Sequence, residues 1–191
     1  MKRALIVFGT TDGHTQQVAE AVAETFRVEG WGASVVEARD ATPDVRPEEF
    51  DRVVVAASVQ AGKYQRPVRK WTRQHAAALN KVPSAFLSVC LGILETRPEA
   101  QREVRAIPER FFAWSGWQPS ATKIVAGALP YTRYGWLKKL IMKRIATKAG
   151  GDTDTTRDFE YTDWEDLREF VRGFIHTEGR VGVAAKLEGA H

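Results

Sequence analysis

The chain has 191 residues, 43% of them hydrophobic and 27% charged, with a formal net charge of +4. That length supports one domain with a full core, and the composition excludes disordered and fibrous classes. The single cysteine, Cys90, excludes an internal disulfide, and the four histidines have no metal-ligand spacing.

The apolar run Ala4, Leu5, Ile6, Val7, Phe8 stops at Gly9, and Val18, Ala19, Val22, Ala23 and Phe26 then recur at helical spacing. A buried strand therefore feeds a polar turn that opens a helix, residues 14–29. The turn holds Thr10, Thr11, Asp12, Gly13, His14 and Thr15. A helix start offers unpaired N–H groups and the positive end of a dipole, which suits a phosphate. The threonines add hydroxyl donors, and Gly13 lets the backbone approach closely. No Lys follows Gly13, so this is not the nucleotide-binding P-loop, nor is it G-x-G-x-x-G. A Lys-free hydroxyl turn fits a phosphate monoester on neutral donors, as in flavin mononucleotide (FMN). An ordinary helix cap on Asp12 or Thr11 is the competing account.

Residues 33–38 read as a second strand, and Pro47-Glu48-Glu49 as a single turn before a nearly all-apolar third strand, 52–58. Such a strand is covered by helices on both faces. The polar segment after it contains Ser58, Val59, Gln60, Ala61, Gly62 and Tyr64, at the carboxyl edge where open α/β sheets bind ligands. Tyr64 can either stack on a planar ring or pack against the helix that Arg66-Pro67 begins. Residues 84–90 form the fourth strand, with Cys90 at its edge and a loop at 91–98 containing Leu91, Gly92, Ile93 and Thr96. A helix spans 99–114, interrupted or restarted near Pro108, and a fifth strand spans 122–129. Alternating strands and helices predict a doubly wound five-stranded parallel sheet of order 2-1-3-4-5, its site at the carboxyl ends of strands one, three and four.

Residues 130–149 break this rhythm. They carry Arg133, Lys138, Lys139, Lys143, Arg144 and Lys148 and no acid, while Trp136, Leu137, Leu140, Ile141 and Ile145 fall near one helical face. A basic amphipathic helix suits an anionic membrane, an acidic ligand or nucleic acid; a docked helix with a solvated basic face is the alternative. The final helix runs to about His176, with Thr162 and Glu165 spaced as a capping box. One domain is expected over 1–176, with 177–191 as a fraying tail. Met1-Lys2-Arg3 runs directly into a strand and no apolar run approaches the roughly 18 residues of a membrane span, so a cytoplasmic location is expected.

The segment ALIVFGTTDGHT resembles the flavodoxin phosphate loop, Thr/Ser-x-Thr-Gly-x-Thr, with Asp12 in place of the middle hydroxyl. Further stretches resemble the flavodoxin-like, menaquinone-dependent protoporphyrinogen IX dehydrogenases of bacteria. They are Ala57-Ser58-Val59 with Gly62 and Tyr64, Pro83-Ser84-Ala85-Phe86 with Ser88-Val89, Ala126-Gly127-Ala128-Leu129 with Tyr131, Leu140-Ile141-Met142-Lys143, Gly150-Gly151-Asp152-Thr153 and Tyr161-Thr162-Asp163-Trp164. The resemblance covers about residues 2–176, the basic insert included. It implies a flavodoxin-like fold, bound FMN, oxidation of protoporphyrinogen IX in haem synthesis, and electron delivery to a membrane quinone. Thr10 to Thr15, Ser58 to Gly62, Tyr64, and Cys90 to Ile93 with Thr96 would hold the cofactor. Arg133, Trp136, Lys138, Lys139, Lys143 and Arg144 would meet the substrate's propionates or the anionic head groups above the quinone pool. Peripheral attachment to the inner face of the cell membrane follows from that reading, and nucleic acid is not an expected partner. A carrier flavodoxin and a non-catalytic binding module are the competing classes. The sequence names no catalytic acid or base and no metal site.

Overall fold

A computed structural model of the protein describes residues 1–41, 45–129 and 159–177. Five strands form one parallel sheet: β1 (Arg3–Gly9), β2 (Gly32–Glu37), β3 (Arg52–Gln60), β5 (Ser84–Val89) and β6 (Ala121–Val125), in the order β2-β1-β3-β5-β6. The short β4 (Lys63–Tyr64) pairs antiparallel with the end of β3. Leaving that hairpin strand out, the order is the expected 2-1-3-4-5.

The sequence along β1 explains the two covered faces. Ala4, Ile6 and Phe8 enter one core with α1 (His14–Val28) and α4 (Trp164–His176), while Leu5 and Val7 enter the other with α2 (Arg66–Leu79) and α3 (Pro98–Ser115). Successive strand side chains point to opposite faces, so a continuous apolar run serves both layers. Phe26 and Leu167 close the first core; Phe86, Phe111 and Trp117 close the second. Each such side chain contributes roughly 1.5–3 kcal/mol by leaving water. Trp117 is fully buried, and its indole N–H donates to Ser84 Oγ at 2.9 Å.

Three local expectations are corrected. Helix α3 continues through Pro108, whose ring is buried, rather than restarting there; its flanking apolar contacts outweigh one missing N–H. The fifth strand ends at Val125, and the chain leaves the sheet at Ala126-Gly127 to form β7 (Ala128–Leu129), paired with β8 (Phe159–Glu160). The Ala126 carbonyl is drawn out of the ladder by the Thr162 hydroxyl, which donates to it at 2.7 Å. Asp163, not Thr162, caps α4, accepting from the N–H groups of Glu165 and Asp166 at 3.1 and 3.0 Å. Thr162 is already engaged across the fold.

Candidate functional site

The chain runs from β1 through α1 to β2 on one side of β1, then returns to β3 on its other side. That reversal opens a crevice at the carboxyl ends of β1 and β3, the place where open α/β sheets bind ligands. A cleft of about 380 Å³ lies there, within the size range of small-molecule sites.

Thr10, Asp12, His14 and Thr15 line one end. Gly13 takes the cap position of α1 in the left-handed region, φ 89°, and no side chain caps the helix. The expected Asp12 or Thr11 cap is therefore absent: Gly13 N donates instead to Thr10 Oγ1 at 2.9 Å, which folds the turn back on β1. The start of α1 faces the cleft with its backbone N–H groups, beside the side chain of Asp12. Thr15 is buried beside it. Among the described residues no lysine or arginine lines the cleft, and the hydroxyls of Thr10 and Thr15 are neutral donors there.

Thr11 is exposed and accepts from the Gln65 side-chain amide at 3.4 Å. The same amide donates to Ser58 Oγ. Gln65 thus ties the turn after β1 to the end of β3, and its buried Oε1 has no partner among the described residues. In the sequence Gln65 is the last residue of the polar segment after β3, and nothing there marks it as a bridge. Gly9 has a packing reason: a Cβ there would collide with Val68 Cγ2 on α2.

Ser58, Val59, Gln60 and Ala61 line the second wall. Ala61 (φ 47°) and Gly62 (φ 74°) form the two-residue turn between β3 and β4. Positive φ at both central residues is the I′ geometry that matches the twist of a hairpin. Ala61 holds it at a cost glycine would not incur. The hairpin decides the fate of Tyr64. Paired with Val59, it turns into the α2/α3 core, 5% exposed, 5.0 Å from the rings of both Phe86 and Phe111. Its hydroxyl lies 2.8 Å from Ser88 Oγ. Burial pushes the phenol above its usual range. Neither Tyr64 nor Gly62 lines the cleft.

The third wall is Val89, Cys90, Leu91 and Gly92. Cys90 N donates to Val125 O at 2.9 Å, and burial pushes its thiol up, so sulfur stays protonated and inert. Residues Leu91–Leu94 form a 3₁₀ turn. Gly92 is held tightly, since a Cβ would come within 2.8 Å of Val104 Cγ2. Ile93 and Thr96 do not line the cleft, and Thr96 is exposed. Gly127 and Ala128 complete the lining; the glycine inside a strand pattern was the available signal for them.

His14 joins these walls. Its Nε2 lies 2.7 Å from Thr162 Oγ1 and its Nδ1 3.2 Å from Gln17 Oε1. Burial lowers its pKa below the usual value, with the Gln17 bond opposing. Arg133, Trp136, Lys138, Lys139, Lys143 and Arg144 lie outside the described residues, as do Gly150-Gly151-Asp152-Thr153 and the tail after Thr177.

Residues 5–156 match the Flavodoxin domain family. The chain is 34% identical over 175 residues to a protein named protoporphyrinogen IX dehydrogenase (quinone) of Escherichia coli K12, covering 91% of this chain and 95% of that one. It is 30% identical over 173 residues to a protein of the same name in Leishmania major, covering 90% and 74%. Among solved structures it is similar to a short-chain flavodoxin associated with a bacterial microcompartment, at 16% identity and a TM-score of 0.56 over 93% of this chain and 99% of that one. Oxidised flavodoxin 1 from Bacillus cereus gives 13% and 0.54 over 93% and 100%. At those identities the solved structures speak to the fold alone.

Proposed function

We propose that this chain, which belongs to the flavodoxin-like protoporphyrinogen IX dehydrogenase family, uses FMN to oxidise protoporphyrinogen IX to protoporphyrin IX in haem synthesis. The electrons pass to a membrane quinone, menaquinone in the reading the sequence favours.

The observation that supports the reading most directly is the donor set of the cleft. Thr10, Thr15 and the uncapped start of α1 suit a phosphate on neutral donors, and the hydrophobic walls at Val59, Ala61, Val89, Leu91 and Ala128 suit a flat ring. These groups fit FMN. Thr10, Thr15 and the His14–Thr15 backbone would hold its phosphate; Ser58 to Ala61 and Cys90 to Gly92, with Gly127, would hold its ring. When bound, the flavin supplies a two-electron acceptor, and the protein orients it and sets its surroundings.

The side chains contribute positioning and exclusion. The ring end of the cleft has no carboxylate, histidine, lysine or arginine among its described lining residues. Cys90 stays a thiol and does not compete for electrons. His14 holds the turn beneath the phosphate end by its bond to Thr162.

Hydrogen removed from the porphyrinogen appears as reduced quinone, and the quinone is confined to a bilayer. No helix among the described residues is long and apolar enough to cross one. Contact with an acidic membrane surface, or with the substrate, is assigned to the basic stretch 130–149 through Arg133, Trp136, Lys138, Lys139, Lys143 and Arg144, as a peripheral attachment of a cytoplasmic protein. The test is the absorbance spectrum of the purified protein, followed by anaerobic addition of protoporphyrinogen IX with and without a quinone. Flavin bands, porphyrin formation and quinone-dependent turnover are expected. A flavin-bearing protein that never oxidises the porphyrinogen would instead be a carrier.

A further inference from the structure

A second depression, about 230 Å³, opens between β4, α2 and α3. The β3–β4 turn separates it from the cleft: Ala61 lines the cleft and Gly62 lines the depression. Lys63, Arg69 and Arg110 line it, and among the described residues no carboxylate does. Arg110 has a surface partner, Glu103, at 2.7 Å. Lys63 and Arg69 have no ion pair among the described residues. The outer wall is Trp114, whose ring stacks on Phe111 at 6.3 Å and 20° and is 39% exposed, one of few large hydrophobic side chains at the surface. Arg69 and Arg73 both lie over that indole, at 4.5 and 5.0 Å from its centroid.

Two guanidinium groups gathered on one exposed ring repel each other, and a cation–π contact at an exposed site is worth only about 0.5–1 kcal/mol each. Folding alone does not call for the cluster. An anion resting between the cations relieves the repulsion, and a carboxylate matches the forked donors of arginine. A free inorganic anion makes no use of the aromatic wall; a flat ring that carries carboxylates uses both features. The depression is too small for a whole tetrapyrrole and admits a carboxylate arm with one edge of a ring.

We propose that this groove docks the propionate-bearing edge of a tetrapyrrole. Lys63, Arg69 and Arg110 hold the carboxylate, Trp114 carries the ring edge, and the rest of the ring extends over the Ala61–Gly62 turn toward the cleft. The proposal rests on the tetrapyrrole reading of the function above, and assigns a carboxylate subsite outside the basic stretch 130–149.

The test uses the flavin-loaded protein and two probes, protoporphyrin IX and its dimethyl ester, in equilibrium dialysis. The ester keeps the ring and removes both charges. The wild type should favour the diacid by about tenfold or more, the scale of one to two charge-assisted hydrogen bonds. Lys63→Gln/Arg69→Gln should lose that preference with flavin content and melting temperature unchanged, and Trp114→Ala should weaken diacid and ester alike. A Lys63→Gln/Arg69→Gln protein that keeps the preference, or a wild type that binds the two probes equally or not at all, overturns the proposal. Turnover of protoporphyrinogen IX by the wild type is read separately. If it is present while the groove variants bind as wild type, the groove fails and the function stands; if it is absent while the variants lose binding, the reverse holds.

Discussion

His14 and Thr162 are 148 residues apart, and Nε2 of one lies 2.7 Å from Oγ1 of the other. Thr162 gives its only hydroxyl proton to Ala126 O, so His14 must donate Nε2–H to it; Gln17 Oε1 beside Nδ1 can only accept, so that second bond favours the charged ring and opposes the effect of burial. The pair binds the start of α1 to the strand edge where Gly127 and Ala128 enter the cleft.

This pair has a pH signature. The pKa of His14 is lowered in the folded chain, chiefly by burial, from 6.5. A depressed folded pKa means the unfolded chain binds the proton more readily, so the contribution is present above 6.5 and is lost as pH falls through the folded value. In the flavin-free protein, the urea midpoint of wild type should drop below pH 6.5 more steeply than that of His14→Gln. Parallel pH profiles would remove His14 as the cause.

Thr15 is buried at the phosphate end of the cleft. Thr15→Val keeps its volume and removes a donor, and should weaken FMN binding by roughly 1–3 kcal/mol, the cost of leaving an ionic acceptor short of a hydrogen bond. Quenching of flavin fluorescence on titration measures this. Equal affinity for Thr10→Val/Thr15→Val would place the phosphate elsewhere.

Gly9 sits where β1 passes under α2, and a Cβ would strike Val68. Gly9→Ala should destabilise the fold by about 1–3 kcal/mol through overpacking. Adding Val68→Ala should recover part of it. A double mutant no more stable than Gly9→Ala by chemical denaturation argues against the collision.

Tyr64 faces the core rather than the cleft. Tyr64→Phe leaves Ser88 Oγ without its partner and should cost about 1 kcal/mol of stability. The flavin spectrum should not move. A shifted spectrum with unchanged stability would mean that the ring meets the flavin after all.

The basic stretch carries the membrane prediction. Lys138, Lys139, Lys143 and Arg144 changed together to Gln should retain flavin and fold but lose binding to anionic vesicles. Each cation contributes on the order of 1 kcal/mol near such a surface, less as salt rises. Co-sedimentation across a salt series checks it, and wild-type binding by the variant would make the stretch structural.

The strand run 4–8, the hydroxyl turn and the helical spacing of Val18, Val22 and Phe26 were enough to determine the layered parallel sheet, its strand order and the end of the sheet that bears the cleft. These follow from periodicity, which every residue of an element reports together. The positions of Tyr64, Gln65, Gly127 and Thr162 depended on tertiary structure. Tyr64 was committed to the core by a two-residue turn that reversed β3, because strand faces alternate and one residue of register changes the side. Gln65 became a bridge only when α2 brought it against Thr11 and Ser58. Thr162 had the spacing of a capping box, but the nearby carbonyl of Ala126 and ring of His14 engaged its hydroxyl and left the cap to Asp163. Local pattern sets which elements form; a single polar side chain goes to whichever partner the folded chain brings nearest, and no spacing in the sequence records that distance.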